Sequence, residues 1–139
     1  MPLKSVAYIS RRDAESKQGT ADYAIISISE PFSYPAQLSG GWHSVLRLEF
    51  HDIEQASWPQ TLFSRQDACD IAAFVEQAQD CEGILVQCKA GISRSAAIAK
   101  WIAEKFSLPF DHAYGLYNRR VYNTLCEIAS QDRGKQNPS

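Results

Sequence analysis

Cys88 and Arg94, six positions apart in Cys88-Lys89-Ala90-Gly91-Ile92-Ser93-Arg94-Ser95, are the residues of this 139-residue chain whose types and spacing suit covalent chemistry. The apolar run Ile84-Leu85-Val86-Gln87 precedes them and Ser95-Ala96-Ala97 follows, which reads as buried strand, loop and helix start. A loop that curls into a helix N-terminus gathers backbone N–H groups into one concavity and adds the positive end of the helix dipole. Arg94 adds a planar fork that holds two phosphate oxygens at once. The same field acts on sulfur: thiols in such surroundings ionise at pKa values of about 3.5–7.5 instead of about 8.5. The stretch therefore combines a nucleophile with an oxyanion cradle formed by Lys89, Ala90, Gly91, Ile92, Ser93 and Arg94. Gly91 keeps a Cβ out of a tight loop around the oxyanion, and Ser95 is placed to donate a hydrogen bond to the sulfur. A buried core cysteine is the plain alternative for Cys88; Gly91, Arg94 and Ser95 in one register weigh against it.

The elements that must position this loop follow from periodicity. Residues 6–9, 23–28, 44–50 and 84–87 are short, apolar and β-branched or alternating, as strands are. Residues 10–20 are polar with room for one or two helical turns. Residues 30–41 contain Pro31, Pro35 and Gly40-Gly41, and residues 51–63 contain Trp58-Pro59, so both are loops. Ser64 with Asp67 is a weak capping signal, because Asp replaces the usual Glu or Gln. Behind it Ala68, Ile71, Ala72, Val75 and Ala78 share one helical face. Helices are predicted over 93–106, 110–117 and 119–130, with Pro109 between the first two. Strands alternating with helices imply an α/β fold with a central, mostly parallel sheet of four or five strands flanked by helices. One domain over residues 1–131 and a flexible tail over 132–139 complete the expectation.

Composition narrows the partners. A net charge of −2 argues against nucleic-acid binding through bulk positive charge. No apolar run reaches membrane-spanning length, and the first residues lack the apolar core of a signal peptide. The four cysteines at 69, 81, 88 and 126 form no C-x-x-C pair and no zinc-like spacing with the three histidines. Free thiols in a reducing cytoplasm, and no metal or cofactor, are the expectation. Cys69 and Cys126 are expected in helix cores. Trp58 is expected to cover the core edge, with flanking an aromatic substrate as the alternative, and Arg11-Arg12 and Arg119-Arg120 to be solvated.

The segment 88–95 resembles the Cys-x5-Arg-Ser/Thr phosphate loop of the cysteine-dependent protein tyrosine phosphatase superfamily, most of all its small dual-specificity branch. The resemblance extends over residues 44–130. Asp52, after Leu46-Arg47-Leu48-Glu49-Phe50 and before the amphipathic helix, stands where that branch carries its general acid; Glu54 is the competing carboxylate. Asn118-Arg119-Arg120-Val121 resembles the family's Asn-x-x-Phe segment, whose Asn braces the phosphate loop. Gln87 stands where the family usually carries His, so a less depressed Cys88 pKa is expected, with the Gln87 amide helping to organise the loop. The resemblance implies a phosphomonoesterase working through a phosphocysteine on Cys88, with Arg94 on phosphate, Asp52 as general acid and base, and Ser95 aiding the second step. It implies a phosphorylated protein or peptide as partner, phosphotyrosine first, in a monomer whose cradle also takes inorganic phosphate or sulfate. Ile92 stands where lipid-phosphatase relatives carry a second lysine, which lowers the weight of phosphoinositides. A rhodanese-like sulfurtransferase and a catalytically weak phospho-binding module are the alternatives. Gly91-Ile92-Ser93-Arg94-Ser95 is one residue short of a G-x-S-x-G hydrolase elbow.

Overall fold

Four strands, β1 (Ser5–Ser10), β2 (Tyr23–Ser29), β3 (Val45–Glu49) and β4 (Gly83–Cys88), form one sheet in the order β1-β4-β2-β3, and every pairing is parallel. The computed structural model describes residues 3–136, with side chains to residue 129. Parallel neighbours require crossover connections: α1 (Arg11–Ser16) lies between β1 and β2 and α2 (Arg65–Gln77) between β3 and β4, whereas α3 (Arg94–Phe106) and α4 (Arg119–Gln136) follow the last strand. α4 continues into the segment expected to be a tail, whose last residues, 137–139, lie outside the described ones. No described helix is long and apolar enough to cross a membrane.

Strand position follows composition. β2 and β4 are central and buried along most of their length, whereas the edge strands β1 and β3 expose alternate residues. Register places Ser10 beside Cys88 and Ser27 beside Gln87. Because all strands run one way, the segments after β1, β2, β3 and β4 leave the same edge of the sheet, the edge where such folds hold ligands.

The two faces of the sheet differ. Ile26, Ile28, Leu48, Ile84, Val86 and Cys88 belong to one apolar core with residues of α2, α3 and α4. Alternation turns Ser27, Arg47 and Gln87 to the other face, which loop 30–43 helps to cover: Arg47 Nη1 donates to the Ala36 carbonyl at 2.8 Å.

Local signals account for the helices and for one departure. Ser64 and Asp67 form a complete reciprocal capping box at 3.0 Å in each direction, so Asp serves where Glu or Gln is usual. The helix expected over 110–117 does not form; residues 107–118 are irregular. Ser107 ends α3 in the left-handed conformation at φ 56°. The Asp111 carboxylate then takes the Ala113 N–H at 3.0 Å, a local bond that competes with helix. Phe110 and Tyr114 turn onto Tyr8, with ring centroids 5.9 and 5.4 Å away.

Candidate active site

Cys88 ends β4 and is 2% exposed. Burial alone pushes its thiol up. The Ser95 hydroxyl, 3.1 Å from the sulfur, the backbone amides of Ser95 and Gly91 and the Arg94 charge more than offset that, and the thiol is held below its ordinary value. Gln87 in place of His does not prevent this.

The loop after Cys88 is fastened from outside. The Lys89 carbonyl accepts from the Arg11 N–H at 3.2 Å, the Ile92 carbonyl from the Tyr114 hydroxyl at 2.6 Å, and the Ser93 carbonyl from the Asn118 N–H at 3.1 Å. In a trans peptide the carbonyl and the following N–H point oppositely, so tying these carbonyls outward turns the next amides inward. Gly91 has φ +70°, and a Cβ there would lie 2.4 Å from the Ser10 nitrogen and 2.5 Å from the Ile9 carbonyl carbon. The obstruction is thus the end of β1, rather than the oxyanion side considered from sequence.

Arg94 opens α3 and is 4% exposed. Its Nη1 donates to the Phe50 carbonyl at 2.9 Å and its Nη2 lies 3.9 Å from Glu30 Oε2. Its Nε is buried without a partner. Buried donors of this kind are rare, and a bound oxyanion would satisfy this one. A pocket of about 90 Å³ lies beside Arg94, between loop 29–36 and the exposed Lys89. Arg11, expected to be solvated, pins that loop by donating to the Tyr34 and Pro35 carbonyls at 2.6 and 3.1 Å.

Asp52 is exposed, and its Oδ1 accepts from Ser93 Oγ and Asn118 Nδ2, both at 2.8 Å. Ser93 is the N-cap residue of α3, yet its side chain makes no cap bond; it holds Asp52 instead. Asn118 is buried and joins three segments. Its N–H reaches Ser93, its Nδ2 reaches Asp52 and the Ile53 carbonyl, and its Oδ1 accepts from the Val121 N–H at 3.0 Å. It therefore ties the loop after Cys88 to Asp52. Glu54 Oε2 accepts from the Arg119 N–H at 2.6 Å at the start of α4.

Four expectations change. Gln87 is buried on the opposite sheet face, where its Oε1 accepts from Ser27 Oγ at 2.5 Å and its Nε2 donates to the Ile28 carbonyl at 3.5 Å. It ties β4 to β2 and leaves the loop to Tyr114, Asn118 and Arg11. Trp58 is 93% exposed, because Phe50 and Phe63 already fill the core at that edge, 4.9 Å apart. Cys69 is exposed, off the buried stripe of Ala68, Ile71 and Val75. Arg120, expected to be solvated, is half-buried and its Nε donates to the Phe63 carbonyl at 3.3 Å, whereas Arg119 is exposed as expected and stacks on Tyr117 at 4.1 Å. Glu30 and Tyr114 were missed: an acid after a strand and a tyrosine in an irregular loop carry no local signal of what they reach.

No protein-family model matches the sequence, and no curated protein matches it. The chain is similar in structure to human DUSP28, a dual-specificity phosphatase known from a crystal structure. The TM-score is 0.55 at 14% sequence identity, and the match covers 96% of each chain. The four-stranded parallel sheet with its flanking helices is the dual-specificity-phosphatase fold.

Proposed function

We propose that the chain is a cysteine-dependent phosphomonoesterase of the protein-tyrosine or dual-specificity type. The observation that carries this reading is the pairing of a thiol held below its ordinary value with a buried guanidinium whose Nε lacks a partner. Cys88 thiolate attacks phosphorus in line and expels the ester oxygen. The backbone amides of the loop 89–94, with those of residues 90, 93 and 94 turned inward, and the Arg94 fork hold the equatorial oxygens, where charge spreads in the transition state. Asp52 Oδ1 is already occupied by two donors, so Oδ2 delivers the proton to the departing phenol or alcohol. Water then attacks the phosphocysteine, Asp52 takes its proton, and Ser95 donates to the sulfur as it leaves.

Phosphotyrosine in a protein or peptide is the first substrate, with phosphoserine and phosphothreonine next. A reducing, cytoplasmic setting that keeps the Cys88 thiol reduced suits the mechanism. The test is phosphate release across phosphopeptides, inositol phosphates and phosphorylated RNA ends, with Cys88→Ser as control. Release from phosphotyrosine peptides, lost in Cys88→Ser, is expected. Turnover of sulfur donors without any phosphate release would replace the reading with the sulfurtransferase one.

A further inference from the structure

We propose that His43, Asp80 and Cys81 form a zinc site at the edge of the sheet opposite the phosphate loop. The sequence offers no zinc spacing, because His43 lies before β3 whereas Asp80 and Cys81 lie in the turn between α2 and β4. The fold joins them. The His43 N–H donates to the Tyr23 carbonyl at 2.8 Å, the Cys81 N–H to the Ala78 carbonyl at 3.0 Å, and the Glu82 N–H to the Asp22 carbonyl at 2.8 Å. These bonds fix both segments at the starts of the strands. One ligand atom from each of the three residues lies within 4.8 Å of the other two.

The chemistry of the donors selects the metal. Imidazole nitrogen, carboxylate oxygen and thiolate sulfur together suit Zn²⁺ better than Mg²⁺ or Ca²⁺. Ligands 2.0–2.3 Å from one tetrahedral ion lie about 3.3–3.6 Å apart, and His43 Nε2 is 3.5 Å from Asp80 Oδ1. His43 Nδ1 is 2.9 Å from Ser44 Oγ. A hydroxyl can accept as well as donate, so Ser44 Oγ can accept from Nδ1–H when Nε2 binds a metal, as an outer partner does for a metal-bound histidine. The Cys81 side chain is buried against the apolar core. Water or a further carboxylate completes the coordination. Binding forms the Zn–S bond and releases the Cys81 proton to solvent. The ion would clip the chain entering β3 to the turn entering β4. Along β4, at about 3.3 Å per residue, the site lies about 20 Å from Cys88, so it is separate from phosphate chemistry.

The experiment uses the full chain with Cys88→Ser, which removes the other buried thiol. Zn²⁺ content after gel filtration and competition with a chromophoric chelator give stoichiometry and affinity. Co²⁺ substitution reads the ligands directly. One equivalent of zinc, a sulfur-to-cobalt charge-transfer band, and loss of that band in Cys81→Ser are expected. His43→Ala should weaken binding by at least about tenfold, while Cys69→Ser changes nothing. Because Cys81 is buried and its replacement can impair folding, the exposed His43 supplies the second variant. Zinc uptake unaffected by His43→Ala, or cobalt bound without a sulfur band, overturns the proposal.

Discussion

The two faces of the sheet carry different kinds of residue, and they do different work for one loop. On the helix face Ile84, Val86 and Cys88 alternate into an apolar core shared with α2, α3 and α4. On the other, Gln87, Ser27 and Arg47 form a chain of polar contacts that runs to the Ala36 carbonyl. Apolar packing is non-directional and holds β4 in place. Hydrogen bonds have direction, and they fix where loop 30–36 and its Glu30 stand relative to Arg94. Successive residues of β4, Gln87 and Cys88, thus belong to positioning and to chemistry.

Removing the chemistry should have the largest effect. Cys88→Ser is expected to abolish phosphate release, and Asp52→Ala to lower kcat by about 10²–10⁴ while substrate binding changes little; steady-state kinetics with a phosphotyrosine peptide measure both. Glu54→Gln, by contrast, should keep most of the activity.

Packing on the helix face comes next. Ile26→Ala should cost about 2–5 kcal/mol of stability in a denaturant melt, with kcat per folded molecule unchanged. On the opposite face Gln87→Leu takes away the acceptor of the buried Ser27 O–H and should cost about 1–3 kcal/mol. A loss of activity there as large as for Asp52→Ala would erase the distinction between the faces.

The pH dependence sharpens the division further. Cys88 is held below its ordinary value, so the rising limb of kcat/KM and of alkylation by iodoacetamide belongs at lower pH than for a free thiol. Ser95→Ala removes a donor to the thiolate and should move that limb to higher pH. The smallest effect is expected for Tyr114→Phe, which keeps the ring on Tyr8 and deletes the bond to Ile92. A fall of several-fold in kcat with a melting temperature within a few degrees of the parent would mark Tyr114 as a positioning residue.

What was legible in the sequence is what local pattern encodes. Strand alternation, the stripe of α2 and the strand-loop-helix order around Cys88 depend on residues close in the chain, and so they could be read. Asp52 was placed by likeness to a family, and its setting against Ser93 and Asn118 is a matter of geometry. Residues 107–118 went the other way: Phe110 and Tyr114 leave helical periodicity for a distant ring on β1, and tertiary contact overrode propensity. The loop role of Gln87 comes from likeness to a family that carries His there, but the two-residue period of a strand turns its side chain to the opposite side. His43 and Cys81 meet only through the sheet, and no spacing rule anticipates that.

Ser93 leaves the first turn of α3 without a side-chain cap in order to hold Asp52. A helix normally carries its own acceptor at that end; under the proposed function an incoming oxyanion would take over that duty. Vanadate or tungstate should therefore act as a stabiliser as well as an inhibitor, adding about 2.7 kcal/mol when present at a hundred times its dissociation constant. Amide exchange at the start of α3 should slow in step, tying folding free energy to occupancy of the catalytic hollow.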